Sequence, residues 1–235
     1  MKKLNRSLFI ILLIEASLLF LQSTQAFFSD TAASTANTFS AALEFSGSSG
    51  SSGPTGSSGP IGPTGTANHL VINEVYYDVD TEHTLNNDEG VSEWVEIYNP
   101  TLGSVNLNTW SITDNNGSDS LSGSLASGSF LILIATDSAS FQSLWTVPAG
   151  TNILTITGEI GGSGLSNSGD ILNLKDNSVE VDKMSWENNI SGFLTGCAAS
   201  CPGVASGNSL ERNPDGLDTD DAADFDNTDP PTPGT

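Results

Sequence analysis

From residue 69 onward the chain is a succession of short apolar runs closed by Gly, Asn, Asp or Ser, and none is long enough for a multi-turn amphipathic helix. Residues 69–77 (HLVINEVYY) are rich in β-branched and aromatic side chains. Residues 93–98 (EWVEIY) alternate, with Val95 and Ile97 on one face and Trp94, Glu96 and Tyr98 on the other. Shorter runs follow at 105–107 and 110–112. The continuous run 130–134 (FLILI) fits a strand buried on both faces. Runs at 153–156, 171–174 and 179–182 bring the expected strands to at least seven. Asn116-Gly117, Gly161-Gly162 and Asp176-Asn177 supply turn chemistry between them. Only 137–145 reads as helix: Asp137 can cap it, and Phe141, Leu144 and Trp145 share a face. This pattern predicts an all-β, two-sheet sandwich.

Charge narrows the function classes. The 235 residues carry 28 acids against 6 Lys and Arg, a formal net charge of -22. A surface of that sign repels phosphates, so nucleic acid is excluded as an electrostatic partner, and anionic lipid with it. The scarcity of strong helix formers among abundant Ser, Thr, Asn and Gly argues against a helix bundle.

Residues 1–26 have the layout of a secretory signal. Lys2, Lys3 and Arg6 precede an apolar stretch from Phe9 to Leu21, and Thr24-Gln25-Ala26 offers small residues before a cut between Ala26 and Phe27. The stretch is shorter than the ~20 apolar residues of a spanning helix and is broken by Glu15, Ala16 and Ser17. Cleavage is therefore favoured over retention as an anchor, and no stable membrane insertion is expected afterwards. Cleavage removes three bases and one acid, leaving 27 acids against Lys175, Lys183 and Arg212, a net charge of -24. The following segment, 26–31 (AFFSDT) and 34–41 (STANTFSA), resembles the N-terminus of the camelysin and biofilm-fibre proteins. That resemblance covers about twenty residues and implies a prokaryotic export route, with 27–45 as an N-terminal tail.

Residues 46–66 read as a linker. Glycine recurs at 47, 50, 53, 56, 59, 62 and 65, the spacing a collagen triple helix requires. Several triplets are Gly-Ser-Ser, so a solvated spacer is favoured over a trimerising stalk. The main domain is expected at 67–235.

Within that domain a second resemblance appears. The blocks 72–75 (INEV), 93–99 (EWVEIYN), 105–114 (VNLNTWSITD) and 164–174 (GLSNSGDILNL) run in the order of the lamin-tail domain in its secreted prokaryotic form. Val181-Asp182, 209–212 (SLER) and 232–234 (TPG) continue it, so that the likeness extends over 69–235. The resemblance implies an immunoglobulin-like β-sandwich at the cell surface or outside the cell. It does not imply a nuclear lamin, since heptad rod and prenylation cysteine are lacking.

Chemistry-bearing constellations are few. No Gly-x-Ser-x-Gly elbow, phosphate loop or dinucleotide fingerprint occurs, and neither His69 nor His83 has a partner indicated by spacing. Glu74, Glu93 and Glu96 sit on expected strands, where solvent-facing or turn-bonding roles are favoured over a hydrolytic acid pair. No catalytic residue is assigned. Cys197 and Cys201 are expected to form a local disulfide in an exported chain; a zinc pair would need further ligands, and no His is near. Residues 215–229 contain seven Asp with no base among them. Asp215, Asp218, Asp220 and Asp221 are candidate Ca²⁺ ligands, although a solvated acidic tail is the favoured reading. No other cofactor is indicated. These observations lead to an exported, non-enzymatic binding or structural module of a prokaryotic cell envelope, with a surface protein or glycan as partner. The alternative is an accessory domain of extracellular hydrolysis, such as a secreted nuclease system.

Overall fold

The computed structural model describes residues 65–193 and 196–235. The signal segment, its cut at Ala26 and Phe27, the tail and nearly all of the linker lie outside them. The linker's last two residues do not: Thr66 bridges Leu217, and Gly65 accepts the Asp218 N–H, so the fold begins slightly before the expected boundary. Among the described residues no helix is long and apolar enough to cross a membrane.

Among the described residues twelve strands form two stacked sheets and a small third one. The strands are β1 (Val71–Tyr76), β2 (Trp94–Tyr98), β3 (Val105–Asn106), β4 (Trp110–Thr113), β5 (Ser118–Ser120) and β6 (Ser124–Leu125). They continue as β7 (Phe130–Ile134), β8 (Asn152–Thr155), β9 (Ile171–Asp176), β10 (Val179–Ser185), β11 (Ser209–Arg212) and β12 (Phe225–Thr228). The larger sheet has the order β12-β11-β1-β2-β7-β8, and the smaller β10-β9-β4-β5, while β3 pairs with β6. All pairs are antiparallel except β7 with β8. This is the all-β sandwich that the alternating runs predict, of the immunoglobulin-like kind that the lamin-tail resemblance implies.

The main core lies between the sheets. Val95 and Ile97 of β2, with Leu131 and Leu133 of β7, pack with Ile112, Leu172, Leu174 and Met184. At about 1.5–3 kcal/mol for each fully buried aliphatic side chain, this layer supplies most of the driving force. A bulge in β1 between Ile72 and Glu74 resets its alternation. Ile72 and Val75 therefore both face the core, while Glu74 and Tyr76 turn outward.

The outer face of the larger sheet is covered as well. Tyr76, Trp94, Ile132 and Ile134 pack with Phe141 and Trp145 of the helical segment. That helix, α1 (Ser138–Leu144), starts where Asp137 accepts the N–H groups of Ala139 and Ser140, as the sequence predicts. The last residues cover the neighbouring part of the same face, with Pro231, Pro233 and Gly234 buried. This second covering layer explains why the 130–134 run is apolar throughout.

Candidate functional site

Acidic side chains dominate the domain, and the fold sorts them into three settings. The first surrounds Arg212, at the end of β11. Its guanidinium donates from Nη2 to both Asp182 oxygens, at 3.0 and 3.1 Å, and from Nε to the Ile72 carbonyl at 2.8 Å. Nη1 lies 3.4 Å from both Asp218 and Asp224. His69 Nε2 stands 3.0 Å from the other Asp218 oxygen, and the Phe225 ring lies under the guanidinium at 4.5 Å. Asp182 also accepts the Ile72 N–H, which ties β10 to β1. Burial pushes the Asp182 carboxyl up to about 6, and the charge of Arg212 is the main force holding it down. Burial works to raise Asp218 too, but the His69 hydrogen bond and Arg212 outweigh it and hold Asp218 below the ordinary range. The same hydrogen bond raises His69.

The second setting has no base. Glu74 on β1 lies directly opposite Glu96 on β2 and Glu211 on β11, so three carboxylates form a row across the sheet. Glu74 and Glu96 are fully buried. The last residues seal them: Thr232 N–H donates to Glu74 and Gly234 N–H to Glu96, at 3.0 and 2.6 Å. Ser209 Oγ donates to Glu74 and Asn73 Nδ2 to Glu96, while the Thr232 and Thr228 hydroxyls meet Glu211. Burial raises Glu74 to about 7 against the bonds from Ser209 and Thr232. It raises Glu96 to about 9, with the charge of Glu74 adding to the effect.

The third setting is open. A cavity of about 420 Å³ is lined by Glu89, Glu93, Glu159 and Asn167. Glu93 accepts the Leu165 N–H at 2.8 Å, and Glu89 accepts from Asn167 at 2.6 Å. Burial lifts Glu93 to about 9, against the Leu165 bond and with the nearby acids Glu89, Glu159 and Asp170 contributing. A carboxyl that keeps its proton at neutral pH can both donate and accept hydrogen bonds.

The sequence expectations meet this geometry unevenly. Glu74, Glu93 and Glu96 are not solvent-facing: all three are at most 3% exposed. The strand alternation that places Glu96 on the face of Trp94 carries the signal, because that face has its own cover. The Asp-rich stretch is not a solvated tail. Its residues Ala222, Asp224 and Phe225 are buried, and β12 pairs with β11 along Phe225–Thr228. The base missing from the stretch comes from Arg212 just before it, and His69 has Asp218 as a partner that spacing did not reveal. The four candidate Ca²⁺ ligands point to different tasks. Asp215 accepts from Asn73, Asp218 joins His69 and Arg212, and Asp221 caps a 3₁₀ turn (Ala222–Asp224). Asp220 adopts a positive φ of 55° beside them. Among the described residues no three or more His, Cys, Asp or Glu side chains are arranged so that they could hold a metal ion. His83 contacts Asp80 at 2.7 Å and stacks on Trp145. Cys197 is joined to Cys201 in the loop that precedes β11.

The sequence profile of the lamin tail domain matches residues 63–188, more than half of the chain. The chain belongs to the lamin tail domain family. Such a domain is an immunoglobulin-like binding and structural module. No curated protein sequence matches the chain. The lamin tail domain match ends before β11, so the likeness of the 209–212 and 232–234 blocks lies beyond it. Arg212 and the segment over Glu74 and Glu96 therefore lie outside the matched span, where they complete one sheet and cover its outer face.

Proposed function

We propose that this lamin tail domain protein is an exported, non-enzymatic binding or structural module of a prokaryotic cell envelope. One observation carries the reading: the outer surface of a rigid sandwich is left overwhelmingly anionic. Of the three bases beyond residue 26, Arg212 is buried among acids and Lys183 is paired with Glu180 at 2.9 Å. Such a surface keeps an exported domain soluble and selects its partners by charge. The buried carboxyls at Glu74 and Glu96 serve the fold, since the last residues cover them. Recognition then falls to loops and sheet edges, against a surface protein or a glycan. The signal-like residues 1–26, the camelysin-like segment after them and the Gly/Ser/Pro linker support export and display at a distance from the N-terminus.

The test is fractionation of cells producing the full chain, with N-terminal sequencing and capture of surface partners on the purified domain. The reading expects envelope or medium localisation, Phe27 as the first residue and a saturable partner. Protein confined to the cytoplasm with Met1 intact contradicts it.

A further inference from the structure

The two long sides of the sandwich are built differently. On one side β10 is stitched to β1 by the Asp182 carboxylate, which accepts the Ile72 N–H and grips Arg212. On the other, β8 ends the larger sheet and β5 ends the smaller, and among the described residues no hydrogen bond joins the two strands. Both instead line one cavity of about 400 Å³. Leu154 and Ile156 are half-buried on its β8 side, where they reach the main core. Ser118, Ser120 and Ser122 form its other side, with Asp119 between them.

The backbone along this cavity is poised for pairing. Ile156 N–H donates back to Ile134 at 2.9 Å, so by strand alternation the amides of Ile153 and Thr155 point away from β7 toward the open edge. Leu121 N–H donates to Trp110, which turns the groups of Ser118 and Ser120 away from β4 in the same manner. Neither strand carries a Lys, Pro or bulge, and the edge is guarded instead by the shortness of β5 and by its one acidic side chain. Asp119 stands opposite Ile112 and thus on the inward side of β5. One of its oxygens accepts the Gly161 N–H at 2.8 Å.

We infer that this gap is a docking slot for one extended segment of a basic polypeptide, which adds as a strand to β8 and places a Lys or Arg against Asp119. Main-chain bonds to Ile153 and Thr155 supply the pairing, and alternate apolar side chains of the segment cover Leu154 and Ile156. The sign of the partner follows from charge complementarity: the domain presents Asp119, with Asp114 close by, within a chain of net charge -22. A second copy of this chain brings the same acids and is repelled. The inference deepens the binding reading above and rests on it.

The probe is a ten-residue peptide of alternating Val and Lys, titrated into isotopically labelled protein at low salt, with the Val/Glu peptide as control. The slot predicts shifts centred on Ile153, Thr155, Ser118 and Ser120, slowed amide exchange at Thr155, and no response to the Val/Glu peptide. Asp119→Asn should weaken binding about fivefold, and Thr155→Pro about tenfold or more, because it removes an edge-facing N–H and leaves the β7 bonds in place. Asp119→Asn keeps the inference testable should Thr155→Pro disturb the fold. Shifts centred instead on the Glu89 and Glu159 loops, or none at millimolar peptide, overturn it. Capture of an envelope partner by the wild type that Asp119→Asn and Thr155→Pro leave undiminished also overturns the slot, while the binding reading stands. Failure of the wild type to localise to the envelope or capture any partner defeats that reading itself.

Discussion

The carboxylates around Arg212 and those under the last residues are both largely withdrawn from water, yet they are accommodated in opposite ways. Asp182, Asp218 and Asp224 share one guanidinium, with His69 completing the group. Glu74 and Glu96 face each other with no cation beside them, and receive backbone N–H groups of Thr232 and Gly234 together with the Ser209 hydroxyl and the Asn73 amide. In the first set Arg212 works against burial at Asp182 and, with His69, holds Asp218 below the ordinary range. In the second, burial and mutual repulsion raise both carboxyls, Glu74 to about 7 and Glu96 to about 9, so that Glu96 keeps its proton at neutral pH. In a chain with one arginine beyond residue 26, the difference shows where that arginine is needed. It stands where β10, β1 and β11 meet, and the outer face of the sheet manages without it.

Removing Arg212 breaks the comparison most severely. Arg212→Ala leaves the buried Asp182 and Asp224 and the partly buried Asp218 with no guanidinium, and loss of one partner from a buried ion pair typically costs about 3–5 kcal/mol. Urea unfolding at pH 7 should show a loss of that order. Part of it should return near pH 5, where Asp182 can take up a proton. A loss below about 1 kcal/mol would mean that the pairing with Asp182 is dispensable.

The raised glutamates of the second and third settings predict an unusual pH profile. Glu74, Glu93 and Glu96 have folded pKa values raised to about 7, 9 and 9. Raised carboxyls bind protons the unfolded chain has already released. Their contribution is therefore complete below about pH 4.5 and declines as pH rises through 7 to 9. The raised His69 acts in the same direction at higher pH. The lowered Asp218 and Asp80 act oppositely, losing their contribution as pH falls below about 4. Stability should thus peak near pH 5, with a melting temperature that drops steadily toward pH 9. A flat profile between pH 5 and 9 would remove the distinction between the two sets.

Smaller changes sharpen it. Gly234 has a φ of +91°, and a Cβ there would lie 2.9 Å from Thr151 Oγ1. Gly234→Ala should cost about 1–2 kcal/mol, and by loosening the cover over Glu96 it should flatten the alkaline half of the profile. Replacing Cys197 and Cys201 by Ala lies at the other extreme. The loop they close is short, so the loss should be about 2 kcal/mol or less and the sandwich should stay folded. The slope of the pH profile should be untouched, as calorimetry at several pH values can check.

Much of this fold is legible in the residues themselves. Alternation marks β2, the run of apolar residues marks β7, and Asp137 marks the start of α1. The sequence signal fails where pairing is carried by residues with no strand preference. Ser118-Asp119-Ser120 becomes β5 because β4 offers an unpaired edge, and β12 hides within an Asp-rich stretch because Arg212 neutralises its neighbours from outside it. The burial of Glu74 and Glu96 escaped notice for a related reason. Glutamate on an alternating strand reads as the wet face, and only the covering by residues 231–234, far along the chain, makes that face dry. Arg212 left a clearer trace: a single arginine in the acidic domain is a natural candidate for its buried charges.

The most direct test of the central contrast is the titration of individual carboxyl groups, followed by side-chain ¹³C shifts from pH 3 to 10 in the intact protein. The account predicts midpoints of about 7 for Glu74 and about 9 for Glu96, with Asp218 titrating below the ordinary aspartate range. Glu74 and Glu96 both titrating between about 4 and 5, as exposed glutamates do, would contradict it.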